Sequence, residues 1–193
     1  MAGRAVTGRS QRTSAIKVVI TGPFAAGKST LVRTVSEVTV LSTERAVSGG
    51  DRAEKPATTV AMDYGRITID EDLVLYLFGT PGQDRFDFMW DVLGEGMLGY
   101  VLLIDADRPE SLIEAVPILN AFRRTAKVPF VVALNRAETV DPADERGVRE
   151  ALSLAADVPV IACDVRDRES VKSVLLELLY AVMEPVDRAA ALG

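Results

Sequence analysis

A short apolar run that leads into a glycine-rich loop and then into a helical pattern constrains the fold of this chain more than any other feature. The run covers residues 16–20, the loop is Gly22-Pro23-Phe24-Ala25-Ala26-Gly27-Lys28-Ser29, and apolar residues at helical spacing follow it. A G-x-x-x-x-G-K-S loop between a strand and a helix turns several backbone N–H groups, and the positive end of a helix dipole, toward one point. The pattern therefore predicts a loop that binds polyphosphate.

Each residue type in this loop has a chemical reason to be there. Gly22 and Gly27 permit backbone conformations that side chains would block, Lys28 can reach the β- and γ-phosphates, and the hydroxyl of Ser29 can ligate Mg²⁺. We expect the following residues to contact the phosphates: Gly22, Ala25, Ala26, Gly27, Lys28, Ser29 and Thr30. The alternative, a chance match in a glycine-containing turn, does not account for the strand before the loop and the helical pattern after it.

Composition excludes several classes of function. The 193-residue chain has 48% hydrophobic residues, which suffices for one well-buried core but not for two ordinary domains. A net charge of −6 argues against a nucleic-acid binder, which needs a basic face. The chain has no histidine and only one cysteine, Cys163, so a His-dependent catalytic site and a four-thiolate zinc site are both excluded. Hard cations on oxygen ligands remain.

The chain divides into a tail and one domain. We expect residues 1–14, with Arg4, Arg9 and Arg12 among small polar residues, to form a flexible basic tail, and residues 15–193 to form a single domain. No apolar run approaches the roughly 18 residues that cross a bilayer, and no hydrophobic signal core opens the chain. We therefore expect a cytoplasmic protein with no direct membrane insertion.

From residue 16 onward, apolar runs alternate with helix-period segments, as in a parallel sheet covered on both faces. The pattern predicts strands over 16–21, 60–70, 73–79, 99–105, 128–134 and 158–162, and helices over 28–39, 84–95, 109–126, 142–156 and 168–184. The second and third strands lie too close for a helical crossover, so one strand should run antiparallel at the sheet edge. The prediction is an α/β fold of the three-layer P-loop NTPase type, with a six-stranded mixed sheet and helices on both faces.

Four further motifs stand at the ends of predicted strands. They are Thr59, Gly79-Thr80-Pro81-Gly82-Gln83, Asn135-Arg136-Ala137-Glu138 and Ala162-Cys163-Asp164. Their order and spacing resemble the Ras-like small GTPases from about residue 16 to 183. Within that superfamily the chain looks most like the bacterial branch, which includes the gliding-motility GTPases and the GTPases of actinobacterial conservon operons.

The resemblance implies roles around the γ-phosphate. Thr59 would reach Mg²⁺ and the γ-phosphate in the triphosphate state only, the N–H of Gly82 would contact the γ-phosphate, and Gln83 would orient the attacking water. Catalysis would then depend on Lys28, Thr59 and Gln83, and Mg²⁺ would be held by Ser29 and Thr59. From the residues alone, two plainer interpretations stay open: Thr59 as the first residue of a strand, and Pro81-Gly82 as an ordinary turn.

The resemblance also implies a guanine site. Asn135 would bridge the base and the phosphate loop, Arg136 would lay its stem along the base, and Glu138 would accept hydrogen bonds from guanine N1 and N2. The N–H of Cys163 would donate to guanine O6. A solvated loop of charged residues at 135–138 and a chance buried cysteine are the alternatives.

Three positions depart from the family pattern. Gly79 stands where most Ras-like proteins have an aspartate that holds Mg²⁺ through water, so Asp63 or Asp105 could substitute only if the fold places one of them near Ser29. Glu138 is one methylene longer than the usual aspartate. Phe24 stands where Ras has a glycine, and it would crowd an arginine reaching in from a partner. Unassisted turnover should be slow.

These expectations together describe a GTP-binding switch that hydrolyses GTP to GDP slowly and changes partner with nucleotide state. The resemblance implies a bacterial signalling complex, a roadblock-type regulatory protein, and a sensor-kinase-like membrane complex that would bring the protein to the inner face of the membrane. Two alternatives remain open. One is a scaffold that binds nucleotide with little hydrolysis or binds none, and the other is a P-loop ATPase or phosphotransferase.

Overall fold

The computed structural model of the protein describes residues 14–42, 62–81 and 95–190. Within these ranges the strands are β1 (Ser14–Thr21), β2 (Leu41–Ser42), β3 (Asp63–Asp70), β4 (Leu73–Gly79), β5 (Gly99–Asp105), β6 (Phe130–Asn135) and β7 (Val160–Cys163). The helices are α1 (Lys28–Val35), α2 (Pro109–Thr125), α3 (Pro142–Ala151) and α4 (Arg168–Ala190).

The strands form one mixed sheet in the order β2-β3-β4-β1-β5-β6-β7. Strand β3 pairs antiparallel with both of its neighbours, whereas the pairings among β4, β1, β5, β6 and β7 are parallel. The predicted α/β fold with a mixed sheet is therefore confirmed, and all six predicted strands are present. The short β2 is an addition, and it lies beside β3, which was predicted as the edge strand.

Helices cover both faces of the sheet, because side chains of the central strands alternate between two buried layers. Val18 and Ile20 of β1 pack with the cluster that includes helices α1 and α4. Val19, the residue between them, packs in the opposite cluster, which includes helices α2 and α3. Every residue of β5 is buried, as expected for a central strand covered on both sides.

Two helices end earlier than the sequence predicts. Helix α1 ends at Val35 rather than at residue 39, because Ser36 is extended and its hydroxyl accepts a hydrogen bond from the backbone N–H of Arg66, 3.2 Å away. Helix α3 ends at Ala151 rather than at residue 156, and the nearby Ser153 adopts a left-handed conformation with φ of 49°. The predicted helix over 84–95 lies almost entirely outside the described residues.

The topology gathers the sequence motifs at one edge of the sheet. Strand β1 lies between β4 and β5. Strands β2 to β4 lie on one side of β1 and strands β5 to β7 lie on the other, so the strand order reverses direction at β1. In open α/β sheets, ligands bind at such a switch point, outside the carboxyl ends of the strands. Asp105, Asn135 and Cys163 end β5, β6 and β7 in register at this edge, next to the loop that follows β1.

Candidate functional site

The loop from Gly22 to Gly27 is built around two glycines that no other residue could replace without strain. Gly22 has φ of +141°, and a Cβ there would lie 2.1 Å from the carbonyl oxygen of Leu103. Gly27 has φ of +106°, and a Cβ there would lie 2.7 Å from Nδ2 of Asn135. Ala25, between them, is also left-handed with φ of 60°. The loop is thus held close to the sheet.

Helix α1 begins at Lys28, directly after this loop. Its N-cap residue is Gly27, and no side chain caps the helix N-terminus. The first backbone N–H groups of a helix lack intrahelical partners, and they lie at the positive end of the helix dipole. The first turn, including the half-buried Ser29 and the exposed Thr30, therefore offers donors to an anion.

Lys28 is a buried cation in the centre of this arrangement. Its Nζ donates to the carbonyl oxygens of Gly22 and Pro23, each at 2.6 Å. Burial lowers the pKa of Lys28 to about 8, and the negative charge of Asp63 opposes that shift. A lysine with a lowered pKa and two carbonyl contacts gains from an anionic partner, which would stabilise its charged form.

Asp63 lies opposite Gly79, where the sequence lacks the expected aspartate. The antiparallel register of β3 and β4 pairs these two residues directly, and a Cβ on Gly79 would lie 3.3 Å from the Cβ of Asp63. The Asp63 side chain is only 10% exposed, and Arg33 Nη2 of helix α1 lies 3.8 Å from its Oδ1. This buried Oδ1 accepts no hydrogen bond in the described part of the chain. The neighbouring strand thus brings a carboxylate to the position of the missing side chain.

Asp105, the other acid that the sequence offered, is ion-paired with Arg136. Its Oδ1 accepts from the backbone N–H of Asp107 at 3.1 Å, and its Oδ2, which like Oδ1 of Asp63 accepts no hydrogen bond among the described residues, lies 3.3 Å from Nη1 of Arg136. Asp105 is 1% exposed and ends β5 beside Asn135. Asp63 pairs with Gly79, and Gly79 pairs with Ile20 near the end of β1, so Asp63 lies at the edge of the sheet from which the phosphate loop begins.

Asn135 connects the phosphate loop to the end of the sheet. Its Nδ2 donates to the carbonyl of Ala26 at 2.9 Å, and its Oδ1 accepts from the backbone N–H of Val165 at 3.2 Å. Asn135 is 2% exposed, and its buried amide joins the end of β6 to the phosphate loop and to the segment after β7. It thereby fixes the phosphate loop relative to the segments that follow β6 and β7.

A cavity of about 560 Å³ extends from the phosphate loop along these segments. It is lined by Ala25, Gly27, Thr30, Asp107, Asn135, Arg136, Ala137, Glu138, Asp164, Val165 and Arg166. The sequence-predicted residues Ala25, Gly27, Thr30, Asn135, Arg136 and Glu138 are thus brought together. The roles assigned to them remain predictions.

Arg136 and Cys163 differ in how they relate to this cavity. Arg136 lines it and is left-handed with φ of 69°, and its half-exposed guanidinium is drawn toward Asp105. Cys163 is 1% exposed and is not among the lining residues, whereas the three residues after it are. Burial raises the pKa of the Cys163 thiol. The predicted hydrogen bond from its backbone N–H stays a prediction.

Sequence reasoning did not assign a role to five of the lining residues: Asp107, Ala137, Asp164, Val165 and Arg166. Arg166 forms an exposed ion pair with Asp164, in which Nη2 and Oδ2 are 3.0 Å apart. A signal for them existed, because each follows a buried parallel strand by one to three residues, where ligands bind in this fold class. Thr59, Gly82 and Gln83, by contrast, lie outside the described residues.

Across residues 14–42, 62–81 and 95–190, no group of three or more Cys, Asp or Glu side chains is gathered as for a metal ion. No helix in the same ranges combines the length and the apolar character needed to cross a membrane.

Comparison with known proteins places the chain in a family. The sequence model of a family described as "conserved hypothetical ATP binding protein" matches residues 42–185. The chain belongs to this family. The match begins after the phosphate loop, so the loop and the family similarity are separate observations that agree. Both support a nucleotide-binding P-loop protein.

Two similar proteins add to this assignment. An uncharacterised protein of Methanocaldococcus jannaschii is 29% identical over 128 residues, which cover 65% of this chain and 73% of that protein. The Ras-related protein RABC2a of Arabidopsis thaliana is 25% identical over 189 residues, which cover 92% of this chain and 82% of that protein. The second similarity spans both the phosphate loop and the segments that line the cavity.

Proposed function

We propose that the protein is a guanine-nucleotide switch that binds GTP and hydrolyses it slowly to GDP. The observation that carries this proposal is the cavity of about 560 Å³, which joins the phosphate loop to a carboxylate-lined pocket. Phosphates would lie against the loop and the start of α1, and the base would lie beyond Asn135 toward Glu138. The similarity to a Ras-related protein over most of the chain supports the same interpretation.

The pocket favours guanine over adenine by its hydrogen-bonding chemistry. Guanine presents two adjacent donors, N1–H and the N2 amino group, whereas the corresponding N1 of adenine is an acceptor. Glu138, Asp107 and Asp164 each supply a carboxylate to the lining of the cavity. A carboxylate pairs with the two guanine donors and leaves an adenine unpaired, so it discriminates strongly between the bases.

The described residues also fit Mg²⁺. The buried Oδ1 of Asp63 accepts no hydrogen bond among the described residues, and Asp63 is joined through its strand partner Gly79 to Ile20 of the strand that leads into the phosphate loop, where a cation would satisfy it. Ser29 and Thr59 would hold the ion directly, and Asp63 would hold it through water in place of a carboxylate at position 79. The ion would supply neutralisation of the phosphate charge.

The chemical step would be attack of water on the γ-phosphorus. Gln83 would orient the water, the new P–O bond would form in line with the bond to the β–γ bridging oxygen, and that second bond would break to release GDP. One proton of the water would pass to an oxygen of the transferred phosphoryl group, which is released as inorganic phosphate. Lys28 would stabilise the negative charge that develops on the bridging oxygen. Intrinsic rates of this class are on the order of 10⁻⁴ s⁻¹.

The output of the cycle would be a change of partner. Contacts from Thr59 and Gly82 to the γ-phosphate would hold the two segments around them, and hydrolysis would release both segments. On the strength of the resemblance, we propose a roadblock-type regulator and a sensor-kinase-like membrane complex as partners, in a bacterial signalling system of the conservon type.

A change of base preference tests the proposal most sharply. Glu138→Gln would place an amide donor opposite the C2 substituent of the base, which is an amino group in guanine and a carbonyl in xanthine. We expect this variant to lose at least about tenfold in GDP affinity and to gain affinity for xanthosine diphosphate, since one lost hydrogen-bond pair costs about 1.4 kcal/mol or more. The measurement is competition against a fluorescent GDP analogue. Glu150→Gln, on the exposed side of α3, is the matched control and should change neither affinity.

The same assay separates the alternatives when adenine nucleotides are included. Displacement by ATP as effective as by GTP would contradict guanine recognition and favour an ATPase or phosphotransferase, a result in line with the family description. Binding of GTP without conversion to GDP in single turnover would instead identify a scaffold.

A further inference from the structure

Arg108 reaches from the start of helix α2 to the phosphate loop. Its Nη1 donates to the carbonyl of Phe24 at 2.8 Å, across 84 positions of sequence. Its Nη2 lies 3.1 and 3.2 Å from the two carboxylate oxygens of Glu114, on the second turn of the same helix. The guanidinium is thus fixed at one end by an acid and holds a loop carbonyl at the other.

Three other carbonyls of the loop have side-chain partners of their own. Lys28 holds those of Gly22 and Pro23, and Asn135 holds that of Ala26. Phe24 has no comparable support from packing, because its side chain is 62% exposed. The Arg108 contact is therefore the one long-range hydrogen bond that the described residues make to the Phe24 carbonyl.

This contact sets the direction of the next backbone donor. The chain has no cis peptide bond among its described residues, and in a trans peptide the C=O and the following N–H point in opposite directions. Because the Phe24 carbonyl points toward Arg108, the Ala25 N–H points away from Arg108. That N–H donates to nothing in the described part of the protein, and Ala25 lines the nucleotide cavity.

We infer that Arg108 is a positioning residue that aims the Ala25 N–H at a bound polyphosphate, with Glu114 holding Arg108 in place. The contacts of Lys28 to the Gly22 and Pro23 carbonyls cannot hold the loop alone, because the phosphates need the N–H donors of Lys28 once they bind. Arg108 is already satisfied by Glu114, so it keeps the loop carbonyl when an anion arrives. A preset donor binds an anion without the cost of ordering the loop.

The inference rests on the proposed nucleotide binding, but not on guanine preference or on hydrolysis. Inorganic pyrophosphate is therefore the probe, alongside GDP, because it has no base. Arg108→Ala should weaken binding of both by about tenfold, the loss of one well-placed charged hydrogen bond. Arg108→Lys should restore most of the affinity, since an ammonium can still donate to the Phe24 carbonyl. Glu114→Ala should weaken binding by about threefold, and should add nothing to Arg108→Ala in the double variant.

The control is Arg124→Ala, an exposed arginine in the last turn of α2. It should leave both affinities unchanged, and the thermal midpoint of each variant shows whether an effect is merely structural.

The inference is overturned if Arg108→Ala binds pyrophosphate as the wild type does, or if Arg108→Lys fails to recover while its midpoint equals that of the wild type. If the wild type binds GDP poorly but binds pyrophosphate, guanine recognition fails and this inference still stands. If the wild type binds neither, both fail.

Discussion

The cavity has two ends, the phosphate end at the Gly22–Gly27 loop and the base end at Arg136 and Glu138, which we name for the groups that we propose they bind, and the two ends are constructed from different kinds of contact. At the phosphate end, the loop is fixed by close backbone approach, by the buried Lys28 and by buried amide and carboxylate groups. At the base end, the lining consists mainly of charged side chains on loops, and Arg136 and Glu138 are exposed. The first end admits few substitutions, whereas the second can change its ligand preference without disturbing the fold.

The largest effect should come from adding one methyl group at the phosphate end. Gly22→Ala places a Cβ 2.1 Å from the Leu103 carbonyl oxygen in a conformation that L residues rarely adopt. We expect a loss of more than about 3 kcal/mol in the free energy of unfolding, measured by chemical denaturation, together with loss of nucleotide binding.

Gly147→Ala is the matched control, because this helical glycine has no atom within 4 Å of the added Cβ. It should raise stability by about 1 kcal/mol, as expected for alanine in a helix. Equal effects of the two substitutions would contradict the account of the phosphate loop.

The charge of Lys28 should give the phosphate end a pH dependence. Burial lowers the pKa of Lys28 to about 8, against about 10.5 in the unfolded chain. Between these values the unfolded chain binds more protons, so the stability of the ligand-free protein should rise with pH, by at most about 1.4 kcal/mol per pH unit. The measurement is urea denaturation from pH 7 to 10, compared with Lys28→Met.

The difference between wild type and Lys28→Met isolates this lysine from other titrating groups. Bound GDP should flatten the dependence, because an anion raises the pKa of a neighbouring lysine. If the difference between the two proteins is independent of pH, Lys28 is not buried as described.

A smaller and more specific effect should follow substitution of Asp63. Asp63→Asn removes the negative charge of this side chain while keeping its shape. Mg²⁺ slows the release of GDP, and we expect the Mg²⁺ concentration that gives half of this slowing to rise about tenfold in the variant. The affinity for GDP measured after chelation of Mg²⁺ should change little. Asp72→Asn, an exposed residue of the same hairpin, should leave the Mg²⁺ dependence unchanged. A change in metal-free GDP affinity as large as the change in Mg²⁺ dependence would assign Asp63 a structural role instead.

The same contrast shows what the sequence could and could not predict. The strand, glycine loop and helix at residues 16–35 were predictable, because backbone geometry demands particular residues at particular spacing. The pairing of Asp63 with Gly79 was not, since it depends on the register of β3 against β4. The contact between Arg108 and Phe24 was equally hidden, because it joins segments 84 positions apart. The early end of α1 arises from the hydrogen bond between Ser36 and Arg66, which is a tertiary contact.

Isothermal titration of the wild-type protein with GDP and with ADP, in the presence of Mg²⁺, tests the central claim most directly. The account predicts one site per chain for GDP, with an affinity at least about a hundredfold above that for ADP, because the carboxylate pocket leaves adenine unpaired. Equal affinities for the two nucleotides, or no heat from either, would contradict it.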